Sequence, residues 1–269
     1  MTCPNWTKPK GNDLKSNDRK NEDDSLSSGV RVQVWLARAG VASRRSAVEL
    51  LQNGRVQVNG KTVCEPGARV LDSDKITLDG RPLAGAGRLV YYALHKPSKY
   101  MCSTQDDAKR PLALDLIQPF VKERLFSVGR LDYMTSGLLL LTNDGEWARH
   151  LSHPSSSVEK EYLVQAKKEI PVELLEEFQR GLWFQGEHFQ CQSWNLTGPH
   201  SVRLVLAEGR NREIRKVFQS RNITVKRVHR TRIGLVVLRG LEAGRFRKLT
   251  ETEIKALVRI TGEIHGHRH

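Results

Sequence analysis

The chain has 269 residues, with 44 Lys and Arg against 30 Asp and Glu, a formal net charge of +14. That length holds one large domain or a large and a small one, and the charge points to a polyanionic partner, most often nucleic acid. The four cysteines (Cys3, Cys64, Cys102, Cys191) are scattered without metal-ligand spacing, and no apolar run approaches the roughly 18 residues that span a bilayer. These features exclude a membrane-spanning helix, and argue against a disulfide framework, a structural zinc site and a secreted protein. The expectation is a cytoplasmic protein.

Residues 1–29 balance five bases with five acids and offer little to bury, so they read as a disordered tail. From Val32 the apolar spacing of Val32, Val34, Trp35, Leu36 and Ala39 predicts an amphipathic helix ending at Gly40. Ser43 is placed to cap a second helix running to Asn53, with Ala47, Val48, Leu50 and Leu51 buried. Val56–Lys61 reads as a strand entering an Asn59-Gly60 hairpin turn. Short strands follow at Arg69-Val70 and Ile76–Leu78, the latter next to an Asp79-Gly80 turn. The segment 84–88, with Ala84-Gly85-Ala86-Gly87, is a linker. The sequence thus sets out a small α+β domain over 30–83.

Residues 89–261 form a larger α+β unit. Strands are expected at Leu89–Leu94, Leu138–Leu141, Tyr162–Ala166, Ser201–Leu206 and Ile233–Leu238. Helices are expected at Trp147–Ser152, Val172–Arg180, Arg212–Gln219 and Glu251–Val258, and a second tail at 262–269. The order lacks regular strand–helix alternation, which predicts a mixed, mostly antiparallel sheet. No nucleotide-binding, metalloprotease or serine-hydrolase motif is present.

The positive charge is focused. Residues 203–232 carry ten Arg and Lys and two acids, Glu208 and Glu213; residues 31–62 carry six bases and one acid. Two of the latter, Arg44 and Arg45, follow the expected cap Ser43. Cations are unfavourable at a helix N-terminus, so the pair is either a solvated surface feature or a phosphate grip shared with free backbone N–H groups. The run 203–232 has the same two readings, a solvated strand–helix face or a phosphate contact, although Ile214, Val217 and Phe218 fit packing. Asp132 stands in a loop between strands, where an acid is usually a turn or capping residue. Asp144 fits turn chemistry with Gly145. The histidines form no ligand pattern; His229 lies in the basic run and could touch RNA.

Two resemblances sharpen this reading. Ala39-Gly40-Val41-Ala42-Ser43-Arg44-Arg45 followed by Gly54–Lys61 resembles the RNA-binding domain of ribosomal protein S4 type. Gly129-Arg130-Leu131-Asp132, Thr135-Ser136-Gly137 and Leu138–Glu146 resemble the signature of ribosomal pseudouridine synthases that carry such a domain. Val158–Val164 is similar to that family's second motif and Glu208–Phe218 to its third. The resemblance implies Asp132 as the catalytic carboxylate, Tyr162 against the target base, and Arg215 paired with Asp132. The residues expected to hold RNA are Arg44, Arg45, Arg55, Lys61, Arg130, Lys160, Arg210 and Arg212. Two positions depart from the family pattern: Lys99 stands where Gly is usual, and Met134 where a polar or acidic residue is usual.

The implied activity is isomerisation of one uridine in ribosomal RNA to pseudouridine. Nothing is oxidised and no group is added, so neither cofactor nor metal is called for. A carboxylate can serve as nucleophile or base, a neighbouring guanidinium keeps it ionised, and the base must be flipped out of its stack. The motifs look closer to members acting on the large subunit than on the small one. A monomer bound to naked or pre-ribosomal RNA is the expected form. The competing readings are a non-catalytic rRNA-binding or ribosome-assembly factor, against which intact Asp132, Tyr162 and Arg215 argue, and a transfer-RNA synthase, which the S4-type domain disfavours.

Overall fold

The structure is a computed structural model and describes residues 29–85, 87–153 and 156–263. The tail expected over 1–29 lies, except for Gly29, outside the described residues. The chain divides into two compact units, one ending at Arg88 and one beginning at Leu89.

In the first unit β1 (Val30–Arg31) leads into α1 (Val32–Arg38), which buries Val32, Trp35 and Leu36. Gly40 adopts a left-handed φ of 76° and turns the chain. The Ser43 hydroxyl then accepts from the Ser46 N–H at 3.0 Å and caps α2 (Arg44–Gln52), whose Ala47 and Leu51 are buried. β2 (Val56–Val58) turns through Asn59 and Gly60, both at positive φ, into β3 (Lys61–Thr62), the backbone that a two-residue hairpin loop requires. β4 (Arg69–Val70) pairs with β1, and β5 (Ile76–Leu78) turns at Asp79-Gly80 into β6 (Arg81–Pro82). The resulting four-stranded sheet has the order β3-β2-β5-β6.

The second unit runs β7 (Tyr91–Lys96), β8 (Phe126–Val128), β9 (Ser136–Thr142), α3 (Gly145–Ser152), β10 (Lys160–Ala166), α4 (Val172–Arg180), β11 (Leu182–Phe184), β12 (Glu187–Phe189), β13 (Ser193–Gly198), β14 (Ser201–Leu206), α5 (Glu213–Gln219), β15 (Val225–Ile233), β16 (Val236–Val237), β17 (Phe246–Lys248) and α6 (Glu251–Glu263). The main path of its sheet is β13-β14-β10-β15-β9-β7-β17, antiparallel except where β15 meets β9. Leu139 and Leu141 pack with Phe178 of α4 and Phe218 of α5, whereas Leu138 and Leu140 pack with Trp147 of α3 and Leu257 of α6. β9 is covered on both faces, which is why its sequence is continuously apolar.

Four local expectations change. The strand expected at 233–238 is the end of the long β15 and its short partner β16; the charged residues of 226–232 hide β15 from a hydropathy reading. Asp144 is a helix cap: its carboxylate accepts from the Glu146 and Trp147 N–H groups and from the Tyr91 hydroxyl. α6 continues to Glu263, two residues into the span assigned to the second tail. Among the described cysteines Cys102 and Cys191 are free and Cys64 is disulfide-bonded, a link that the scattered cysteines gave no reason to expect.

Candidate active site

Asp132 sits in the loop joining β8 to β9. Thr135 N–H closes a turn onto the Asp132 carbonyl at 3.0 Å, so the carboxylate projects from a short, tied segment. A second segment, 98–102, braces the loop: Lys99 N–H donates to the Tyr133 carbonyl at 2.7 Å, and Leu131 N–H donates to the Cys102 sulfur at 3.4 Å. Lys99 takes a left-handed φ of 65°. That conformation is unfavourable for a non-glycine residue, and it falls at the position where the resemblance implies Gly. Met134 is half exposed on the turn, and its carbonyl accepts from the Ser98 hydroxyl at 3.4 Å.

The loop forms one wall of a cleft of about 300 Å³. Asp132, Tyr162 and Arg215 all line it, from the loop, β10 and α5 respectively. Tyr162 is buried in the sheet, with Arg230 and Leu204 as its cross-strand neighbours. Arg215 is half-buried, and Nη1 donates to the Val225 carbonyl at 3.1 Å. Burial pulls its pKa below the usual value, Arg212 adds to this, and Asp132 opposes both. The direct Arg215–Asp132 pairing that the resemblance implies is absent from this geometry. Arg215 is tethered to the backbone of β15 instead, and among the described residues Asp132 makes no ion pair.

Of the residues expected to hold RNA, Arg130, Lys160, Arg210 and Arg212 line the same cleft. Arg130 and Arg212 are exposed at its rim, and Arg212 caps α5 from a left-handed φ of 52°. Arg210 is exposed and paired with Glu208 at 2.7 Å. Lys160 is different: Nζ donates to the Val158 and Ala207 carbonyls, and burial, with the Arg230 charge, lowers its pKa to about 8. In the first unit Arg44 and Arg45 are exposed at the start of α2 and make no ion pair among the described residues. Lys61 is exposed on the hairpin, and Arg55 forms a two-point pair with Asp79. His229 is half-buried against Ser136 Oγ at 2.8 Å, and burial lowers its pKa to about 4, so it is a neutral packing residue.

Three cleft or near-cleft residues escaped the sequence reading. Glu213 is buried, accepts from Arg210 N–H at 3.1 Å and is lifted by burial to about 7. Lys96 is fully buried, its ammonium held by the Pro97 and Tyr100 carbonyls, and burial lowers it to about 8. Arg230 is buried at 3 % exposure. The one sequence signal for Arg230 was alternation: it shares the inward face of β15 with Val228, while the flanking Arg227 stays exposed.

A family model described as RNA pseudouridylate synthase matches residues 90–220, and an S4 domain model matches residues 30–76. The chain is 42% identical over 231 residues to an uncharacterized RNA pseudouridine synthase of Borreliella burgdorferi, covering 84% of this chain and 92% of that protein. It is 39% identical over 233 residues to ribosomal large subunit pseudouridine synthase B of Bacillus subtilis, covering 84% and 95%. A solved pseudouridylate synthase structure superposes with a TM-score of 0.63 at 29% identity, covering 85% of this chain and all of that one. At these identities and coverages the chain belongs to the RNA pseudouridine synthase family, and its first unit carries an S4 domain.

Proposed function

We propose that the protein isomerises one uridine of large-subunit ribosomal RNA to pseudouridine, with Asp132 as the catalytic carboxylate and Tyr162 and Arg215 beside it. The observation that carries this reading is convergence: three residues from a loop, a strand and a helix, far apart in sequence, line one cleft. Its size and basic rim suit a single flipped nucleotide with its flanking phosphates. Tyr162 offers the base a flat face, and Arg215 lies within the electrostatic reach of Asp132. The bond from sugar carbon 1′ to base nitrogen 1 breaks and one from carbon 1′ to base carbon 5 forms; the carbon 5 proton leaves to water and nitrogen 1 takes up a proton. That balance needs no redox partner and no donated group.

Large-subunit RNA is favoured because the Bacillus subtilis relative carries that name. We assign rRNA docking to residues 30–83, chemistry to residues 89–261, and a single chain to the working form. The test has two arms. Ribosomal RNA from a strain lacking the gene is mapped for the pseudouridine that disappears. Purified protein is then assayed for tritium released from 23S rRNA transcribed with uridine labelled at carbon 5. Asp132→Asn should abolish release while RNA affinity stays within about threefold, since the amide keeps the shape and loses basicity. Binding without release by the wild-type chain would make it a non-catalytic rRNA-binding factor.

A further inference from the structure

Arg230 lies in a cross-strand row that places Lys96, Gly137, Arg230 and Tyr162 side by side on β7, β9, β15 and β10. Residues in one row face the same side of the sheet. Gly137 is required here. It has a φ of 117°, and a Cβ at that position would lie 2.2 Å from the Arg230 carbonyl oxygen. The absence of a side chain lets β15 close in parallel on β9 and pairs the arginine with the strand that follows the Asp132 loop.

Each end of the guanidinium has a different duty. Nε donates to the Leu138 carbonyl at 2.8 Å, which fixes the group to β9. Nη1 reaches the Tyr162 hydroxyl at 3.5 Å, with the guanidinium carbon 6.0 Å from the ring centre. Nη2 is buried and has no hydrogen-bond partner among the described residues. No carboxylate forms an ion pair with Arg230 among the described residues. A buried cation without a counter-charge is costly, and the usual solutions are a carboxylate or neutralisation. Arginine keeps its charge, so a cation without an ion-paired carboxylate among the described residues stands in the lining of the cleft. Its field reaches both neighbouring lysines: after burial, it helps to pull down Lys160 and Lys96.

We propose that Arg230 is a positioning residue of the isomerisation, fixing the Tyr162 phenol under the flipped base and supplying the unpaired charge toward which negative charge in the cleft is drawn. Cleaving the carbon 1′–nitrogen 1 bond leaves the electron pair on the uracil, and a fixed cation that needs no reorganisation favours that state over the bound ground state. This inference rests on the proposed function and adds a residue that the three sequence motifs do not contain.

The test uses single-turnover tritium release from carbon-5-labelled 23S rRNA at saturating protein, with affinity measured separately and thermal unfolding followed for every variant. Arg230→Lys keeps the charge and loses the fork, and should slow release about 10- to 100-fold with affinity within about threefold; Arg230→Gln loses the charge as well and should slow it about tenfold more. In a Tyr162→Phe background the Arg230→Lys effect should shrink to less than about threefold, because the hydroxyl through which it acts is gone. A purely packing role would give additive effects. Additivity, weaker affinity in step with rate, or an unchanged rate each overturns the inference. Should the Arg230 variants fail to fold, nitrogen-15 NMR of the intact chain reads the contact instead: the Arg230 Nε–H resonance must move in Tyr162→Phe, and an unmoved resonance overturns the proposal. A wild-type chain that releases no tritium removes the proposed function itself, whereas wild-type release with unaffected Arg230 variants removes only this inference.

Discussion

The cations expected to grip RNA in the first unit and those packed around the cleft of the second are held in opposite ways. In the S4-domain unit, Arg44, Arg45 and Lys61 are exposed, and the first two stand at a capped helix N-terminus with no ion pair among the described residues. In the second unit Lys96, Lys160, Arg215 and Arg230 are buried or half-buried, and each donates at least one N–H to a backbone carbonyl. An exposed cation on a flexible stem can follow a phosphate, and its contribution is screened by salt. A tethered, desolvated cation cannot follow anything, but its field is strong and fixed. The difference separates gripping from chemistry, and it predicts that variants of the two kinds will fail in different assays.

The largest effect should come from the backbone approach that holds the buried cations. Gly137→Ala places a Cβ against the Arg230 backbone, with neighbouring atoms at 2.2, 2.5 and 2.8 Å. No flexible side chain is there to yield, so denaturant unfolding should show a loss of about 3–5 kcal/mol. A loss below about 1 kcal/mol would show that β9 and β15 part easily and that the row is soft.

Arg215 comes next. Arg215→Ala should reduce the single-turnover rate about 10²- to 10³-fold at saturating RNA, with Arg215→Lys restoring only part, since an ammonium cannot hold both the Val225 carbonyl and the carboxylate's field. Near-normal rates in both variants would reassign Arg215 to structure.

Glu213 gives a pH-dependent signature. Its carboxyl is raised to about 7 from an ordinary 4.5, chiefly by burial, although it stands at the start of a helix where an anion is favoured. Below pH 4.5 it is neutral in folded and unfolded chains alike. Above pH 7 it is ionised in both, and the folded chain bears the desolvation cost. Stability from this residue is therefore lost as pH rises from 4.5 to 7. Glu213→Gln should flatten that window and be more stable at pH 8 by about 2 kcal/mol, measured as urea midpoints across pH. An equal slope in both proteins would place the titration elsewhere.

The smallest effect belongs to the exposed pair, and it tests the contrast between the units most directly. Changing Arg44 and Arg45 together to Ala should weaken rRNA binding about tenfold. Log affinity against log salt should flatten by roughly 0.7 to 0.9 for each phosphate no longer neutralised. The saturated rate should not change. Unchanged salt dependence would mean that this helix end does not touch phosphate.

Much of the molecule is written locally. Ser43, the Asn59-Gly60 and Asp79-Gly80 turns, and the apolar faces of α1 and α4 are instructions set by capping, positive φ and periodicity within a few residues, so they are legible without a fold. The motifs carrying Asp132, Tyr162 and Arg215 are legible because the resemblance names them; their convergence on one cleft is not. Which charges are buried is a matter of long-range packing. Lys96, Glu213 and Arg230 look in sequence like solvated neighbours of other charges, and β15 looks like a basic surface run. Only the strand register, with Gly137 admitting β15 against β9, turns Arg230 inward, where no carboxylate among the described residues pairs with it. Burial depends on what packs above a residue from distant parts of the chain, and no local pattern of residue types carries that information.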